Sequence, residues 1–243
     1  MNKKHLILAV LAVLLVSTAA YAYVLLSPTR TWSSTPTYIV DNRGQSSITD
    51  GDGGATRTRN AITSSSAWNG AGAGTVINAT IGSVSSWSLG DGTPMLNFRD
   101  PTGACSGSCL AACFTGYYSG GTIYDADIIT NTSHSWTSVG ESGGCSGEFY
   151  IEGVMVHEIG HGLGIGHSNV GGATMYPSVS SCNNSPATTE SDDDAAINAL
   201  YGGGPSGPTC AGSCGGNAGS CWCDAYCSYY GDCCPDKVAI CGP

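Results

Sequence analysis

Apolar and polar positions divide the 243 residues into distinct regimes. The first is an unbroken apolar run, Leu6 to Val16, behind the basic Asn2-Lys3-Lys4 and ahead of Ala20-Tyr21-Ala22, whose small-x-small form suits a signal peptidase. A cleaved export leader over 1–22 follows. The competing reading is an uncleaved anchor, because Val24-Leu25-Leu26 extends the run toward spanning length. Cleavage is preferred, since Ala20 and Ala22 suit a peptidase and no basic stop signal follows directly. No other segment is apolar for long enough to cross a membrane, so the mature chain is expected to keep no stable membrane insertion.

Beyond a short segment, 23–36, the pattern becomes one of brief apolar stretches between Gly, Ser, Asn and Asp. Strands are predicted at Thr37–Val40, Thr75–Ile77, Met95–Phe98, Gly121–Tyr124 and Ala126–Asn131. A helix is predicted from Arg59 to Trp68 with Ile62 and Trp68 on its buried side, and another from near Ile151, where Val154 and Met155 continue an apolar surface. A last helix is marked by Asp192-Asp193 at its positive end, by Ile197 and Leu200 on one face, and by Gly202 as its stop. Strands mixed with helices over 37–202 make an α+β domain of ordinary size. Gly203 to Thr209 reads as a linker, and 210–241 as a small separate module.

The second long helix carries the candidate chemistry. His157-Glu158-Ile159-Gly160-His161 places two imidazoles four residues apart on one helical face, where both can reach one zinc ion. Gly164, free to adopt positive φ, is positioned to turn the chain so that His167 returns as a third ligand. Three protein ligands leave a position for water or a substrate carbonyl, which distinguishes a catalytic zinc from a structural one. Glu158, beside that ion, is the candidate general base for the water and proton donor to the leaving amine. Those residue types at that spacing point to zinc-dependent hydrolysis of protein or peptide bonds.

The extended motif resembles the metzincin clan of zinc peptidases, and three further features resemble its matrixin family. Ser168 follows the third His; Ala173-Thr174-Met175-Tyr176-Pro177 is similar to the Met-turn, a soft methionine floor beneath the ligands; and the Asp192-Asp193 helix is similar to the family's last helix. The resemblance implies a zincin-like α+β catalytic domain with a twisted, mostly parallel sheet, an active-site helix, a Met-turn and a C-terminal helix. It further implies that Asp193 supports the Met-turn, that Asp192 receives the mature N-terminal ammonium, and that Tyr176 and Pro177 shape the pocket after the cleaved bond; a plain helix cap is the alternative for either aspartate. An edge strand beside the cleft, reached through 126–131, would hold substrate in extended form. After leader removal the histidines are His134, His157, His161 and His167, too few for the family's structural zinc, so one catalytic ion is expected. Calcium is the second ion considered: Asp50, Asp52, Asp91, Asp125 and Asp127 lie in turn-like settings, though none completes a loop pattern and solvated turns are the commoner explanation.

Thirteen cysteines change the picture of compartment and stability. In a chain with an export leader they predict disulfides and a secreted, extracellular protein. In a host that glycosylates exported chains, Asn78, Asn131 and Asn183 head acceptor sequons. Cys210, Cys214, Cys221, Cys223, Cys227, Cys233, Cys234 and Cys241 crowd a segment too short to bury a sufficient core unaided. Spacing alone leaves 105 pairings open. The segment resembles a somatomedin B domain through Cys221-Trp222-Cys223-Asp224 and Tyr229-Tyr230-Gly231-Asp232-Cys233-Cys234. That resemblance implies Cys210–Cys223, Cys214–Cys241, Cys221–Cys234 and Cys227–Cys233, and a protein partner; Tyr229 and Tyr230 beside Asp232 are candidate contacts, the alternative being that they only pack on the disulfide knot. Cys105, Cys109, Cys113, Cys145 and Cys182 are odd in number, so two bridges and one unpaired thiol are expected, Cys145–Cys182 among the bridges. Cys105, Cys109 and Cys113 would alternatively make a metal site.

Charge then excludes one class of partner. The formal net charge is −10, and losing Lys3 and Lys4 leaves six basic residues against eighteen acidic, so nucleic acid is excluded as a ligand. The reading is a secreted zinc endopeptidase with a C-terminal protein-binding module. The alternative is an extracellular adhesion protein in which that module is the working part and the zinc fold is latent.

Overall fold

The computed structural model describes residues 22–71, 76–84 and 89–201, together with Cys210, 213–217, 222–227, Cys233 and Cys241. Strands β1 (Thr31–Trp32) and β2 (Thr37–Asp41) are followed by helix α1 (Ala55–Ile62), strands β3 (Asn78–Gly82), β4 (Met95–Asn97), β5 (Ala111–Tyr117) and β6 (Thr122–Thr130), the short β7 (Trp136–Thr137) and β8 (Phe149–Tyr150), and helices α2 (Ile151–Gly162) and α3 (Ser191–Tyr201). The main sheet runs β3-β2-β4-β6, all parallel, with β1 parallel to the start of β6. Only β5, at the far edge of β6, is antiparallel. A mostly parallel sheet with few helices fits a metzincin-like α+β fold.

Alternation explains β2, where Tyr38 and Val40 are fully buried, and near-continuous burial explains β6, covered on both faces as parallel sheets are. Helix α2 is buried almost all round: Ile151, Val154, Met155, Val156 and Ile159 join Trp68, Trp136, Phe98, Leu96 and Ile128 in one core. Its first-turn Glu152 accepts hydrogen bonds from Ser138 Oγ (2.6 Å) and Val139 N–H (2.9 Å), which holds a buried charge at the positive end of the helix.

Several boundaries differ from the sequence reading. Helix α1 begins at Ala55 and ends at Ile62; Trp68 lies in a separate single turn, 68–70. At the start of α1, Asp52 accepts the Thr56 N–H at 2.8 Å, satisfying a donor that the first turn leaves free. Ile62 and Trp68 are nonetheless both buried, as expected. The strand placed at Thr75–Ile77 starts instead at Asn78, after the buried Val76 and Ile77, and the pair at 121–124 and 126–131 is one continuous strand. The antiparallel strand at the sheet's edge is β5, which sequence reasoning missed altogether. Gly202 and the linker lie outside the described residues.

Disulfides join Cys105–Cys109, Cys145–Cys182, Cys210–Cys223, Cys214–Cys241 and Cys227–Cys233, and among the described residues Cys113 is free. The oxidised loop is thus the outcome for Cys105 and Cys109, not a three-cysteine metal site. Cys221 and Cys234 are outside the described residues, as are Tyr229, Tyr230 and Asp232. The bridge from Cys145 to Cys182, 37 positions apart, encloses all of α2 and the chain through Met175. Among the three sequons, Asn131 is buried and its amide donates to the Cys109 carbonyl at 2.8 Å. The folded chain therefore offers no free amide there to glycosylate.

Asp125 and Asp127 point to the same buried side of β6, which the sequence would not suggest for charged groups. Gly90 N–H donates to Asp125 (2.6 Å) and Met95 N–H to Asp127 (3.2 Å), but Asp125 Oδ1, Asp127 Oδ2 and the Tyr38 hydroxyl have no hydrogen-bond partner among the described residues. Burial, with the neighbouring Asp125 charge, pushes Asp127 up to about 7. A raised carboxyl pKa contributes stability below its unfolded value and loses it as pH rises through the folded value, here between about 4 and about 7. Asp127→Asn is therefore expected to melt higher than wild type at pH 8 by roughly 2 kcal/mol equivalent and to match it near pH 4. Thermal melts across that range, with calcium and with chelator, check this; a variant less stable at pH 8 in both would refute it.

Candidate active site

His157 and His161 stand one turn apart on α2, with ring centroids 4.8 Å apart. The helix then stops: Leu163 N–H bonds back to Ile159 and Gly160 carbonyls, Gly164 takes φ +101°, and Ile165 N–H returns to the Gly160 carbonyl at 2.9 Å, closing a left-handed helix end. A side chain at Gly164 would also run into the Arg30 carbonyl. This turn carries His167 to within 4.8 Å (His161) and 5.3 Å (His157) of its neighbours, ring centre to ring centre.

The ring nitrogens are oriented for one acceptor. His157 Nδ1 bonds the Thr174 carbonyl at 2.7 Å and His161 Nδ1 the Ile165 carbonyl at 2.8 Å. Each neutral ring therefore carries its proton on Nδ1 and turns the Nε2 lone pair inward. His161 Nε2 and His167 Nε2 are 3.2 Å apart. Burial first, then the neighbouring imidazoles, lower His157 to about 3, and burial lowers His161 to about 4, so both stay unprotonated at neutral pH. Converging lone pairs without protons repel unless a cation lies among them, and one ligand atom from each of the three histidines falls within 4.8 Å of the others. The donor set fits a zinc ion.

Glu158 is buried and pushed up to about 8 by that burial, with the Cys113 N–H bonding the carboxyl and pulling the other way. Together with His157 and His167 it lines a cleft of about 500 Å³. Tyr176 and Pro177 lie in the same cleft wall, as do Leu110, Ala111, Val154 and Val179. His134 and Phe149, their rings in edge-to-face contact at 5.5 Å, line it too. Sequence reasoning missed His134: its signal was a lone His two residues before a buried Trp, too common a pattern to single out.

Below the histidines, the Asp193 carboxylate accepts Thr174 N–H (2.7 Å), Met175 N–H (3.0 Å) and Glu190 N–H (2.9 Å), fixing the turn that buries Met175. Asp192 accepts Ser168 Oγ–H at 2.6 Å and the Ala22 N–H at 2.7 Å, so the chain beside the expected cleavage point reaches this carboxylate. The following residues form a strap over the turn, with Gly166 N–H to the Val24 carbonyl (2.7 Å) and Leu26 N–H to the Gly164 carbonyl (2.9 Å). Gly160 was also missed in the sequence; a methyl there would collide with Met175 Sδ and lie 2.6 Å from the Trp68 ring.

Cys113 Sγ lies against Gly162 of α2, and burial raises its thiol well above the usual range, with the Glu158 charge adding to the effect. The acidic residues considered for calcium are scattered: Asp50 pairs with Arg57 at 2.9 Å, Asp52 caps α1, Asp91 accepts the Thr93 N–H, and Asp125 and Asp127 brace the 90–95 segment.

A helix presenting two histidines, a third returned by a glycine turn, a methionine beneath and a mostly parallel sheet beside them form the arrangement that the metzincin resemblance implies. Residues 103–202 match the matrixin family, a stretch that contains the three histidines, Glu158, Met175 and the Asp192-Asp193 pair. The chain is similar to Metalloendoproteinase 5-MMP of Arabidopsis thaliana (47% identity over 57 residues, 24% of this chain and 16% of that protein) and to Matrilysin of Rattus norvegicus (40% over 67 residues, 28% and 23%). Metalloendoproteinase 2-MMP of Arabidopsis thaliana is 46% identical over 55 residues, 23% of this chain and 14% of that protein. The chain thus spans less than a quarter of the length of these relatives. Together these findings support a zinc metalloendopeptidase of the matrixin family, and do not favour the adhesion reading.

Proposed function

We propose that this chain is a secreted zinc endopeptidase. The observation that carries the proposal is the convergence of three imidazoles with a buried carboxyl at one cleft. His157, His161 and His167 would hold the zinc, which when bound supplies Lewis acidity to water and to the scissile carbonyl. Glu158 takes the proton of the attacking water and delivers it to the departing amine nitrogen. Beside that positive charge Glu158 favours its carboxylate form, which offsets the burial that raises it. Cys113 N–H orients that carboxyl, Met175 supports the ligands from below, and Tyr176 and Pro177 bound the pocket for the side chain after the cleaved bond. Substrate lies extended beside β5, exchanging main-chain hydrogen bonds with its open edge.

Residues 1–22 act as the export leader, 37–202 as the catalytic domain, and 210–241 as a somatomedin-B-like module that binds a protein partner. Disulfides in both parts support an oxidising destination, and no helix among the described residues is long and apolar enough to cross a membrane. Among the described residues, the candidates for calcium offer no gathered site, only the unpartnered oxygens of Asp50, Asp125 and Asp127.

A quenched peptide library incubated with the purified protein tests the activity. Hydrolysis is expected to fall to background in a zinc chelator and return on adding zinc; chelator-resistant hydrolysis, or none from folded zinc-loaded protein, would overturn the proposal.

A further inference from the structure

The open edge of β5 does not end at the zinc site. Asn131 N–H bonds the Leu110 carbonyl at 2.9 Å, and backbone groups alternate along a strand, so Ala112, Phe114 and Gly116 bond to β6 while Ala111, Cys113 and Thr115 present their N–H and C=O groups to the open side. A substrate antiparallel to β5 would run its N-terminal part toward Tyr117, at the C-terminal end of that strand. At the rise of an extended chain, Tyr117 lies about 14 Å beyond Cys113.

At that end the strap places Arg30. Its carbonyl packs against Gly164, in the turn that carries His167, and its side chain crosses to Thr115 of β5, so it links that turn to the strand. The guanidinium is held in place: Nη1 donates to Thr115 Oγ1 (2.9 Å), Nη2 to the Ser27 carbonyl (3.2 Å) and Nε to the Pro28 carbonyl (3.2 Å). Its central carbon lies over the Tyr117 ring, 4.1 Å from the centroid. Three of its five N–H groups are used, leaving two for a ligand. It makes no ion pair among the described residues, in a protein whose acidic residues outnumber its basic ones by ten. Beside it Tyr118 is 62% exposed, with its ring 4.7 Å from that of Tyr124. An immobilised arginine without a carboxylate partner, next to exposed aromatic surface and continuous with a strand edge, is organised to receive a carboxylate without further ordering cost.

We propose that Arg30, Tyr117 and Tyr118 form a subsite for an acidic side chain about four or five residues before the cleaved bond, so that the enzyme selects substrates carrying Asp or Glu there. This selectivity rests on the peptidase reading for its consequence in catalysis, but the binding does not.

The test uses matched peptides with Glu, Gln or Lys placed three to six residues upstream of the bond. Wild type should cleave the Glu peptide about fivefold faster than the Gln peptide in kcat/KM, at one position in that window, with the ratio falling as salt rises. Arg30→Gln should bring the ratio to about one, Arg30→Lys should retain part of it, and Arg30→Glu should reverse it in favour of Lys. Each ratio is internal to one variant, so altered stability does not imitate the effect. Affinities of the same peptides for Glu158→Ala protein, with and without Arg30→Gln, give the second readout. A Glu preference that persists in Arg30→Gln, or equal binding of Glu and Gln peptides to Glu158→Ala protein, overturns the subsite. A Glu preference in binding with no hydrolysis by wild type overturns the peptidase reading and leaves the subsite standing.

Discussion

Glu158→Gln is expected to lower kcat/KM by roughly 10³-fold or more while leaving the protein folded and its zinc content unchanged, because the amide keeps the shape of the carboxyl but cannot take a proton. Zinc analysis alongside the kinetics separates this from loss of the ion. A second consequence runs opposite to activity. Burial raises Glu158 to about 8, so in zinc-free protein this group contributes stability below its unfolded pKa and loses it as pH rises through about 8. The amide removes that loss. Zinc-free Glu158→Gln should therefore melt above zinc-free wild type at pH 8, on the order of 2 kcal/mol, and the two should converge below pH 5. A variant that keeps a tenth of wild-type activity would remove Glu158 from its role.

The largest effect expected away from the reacting atoms is at Gly160. Here α2 rests directly on the Met-turn and on Trp68, whose indole N–H donates to the Val156 carbonyl at 2.7 Å, so neither neighbour is free to withdraw. Alanine there overpacks a buried contact, at a cost of about 2–3 kcal/mol, despite its better helix propensity. Relief can come only by tilting α2 or lifting Met175, and both movements separate the histidines. Gly160→Ala should thus lower the melting temperature and weaken zinc binding together. Gly171→Ala, where an added methyl meets nothing within 4 Å, is the matched control. Unchanged zinc affinity in a destabilised Gly160→Ala would show that the Met-turn is only packing.

Local chemistry was the legible part of the sequence. Ligand spacing and the positive φ at Gly164 were within reach because each depends on a few residues whose types leave little choice, whereas the Asp193 brace came from the family resemblance and the Cys145–Cys182 pairing was one choice among five cysteines. Strand boundaries were less so. The edge strand, Ala-Ala-Cys-Phe-Thr-Gly-Tyr, opens on two alanines and carries a glycine among its Phe, Thr and Tyr, and forms because β6 offers it a partner along its length. Asp125 suggested a break in β6, yet it is buried and bonded from Gly90, a contact with no local signature. The strap from Ala22 to Arg30 was likewise invisible, since its meaning lies in what it covers.

The covalent ring closed by Cys145 and Cys182 contains His157, Glu158, His161, His167 and Met175 and no other cysteine. Closing a ring of that size restricts the unfolded chain by about 4 kcal/mol on a chain-entropy estimate. It also confines the three imidazoles to a small volume before any tertiary structure exists, so that a zinc ion bound by one histidine meets the other two at high effective concentration. Oxidation of a single cysteine pair thereby turns assembly of the metal site into a local search, and a chain secreted with that pair reduced would have to find its zinc by folding first.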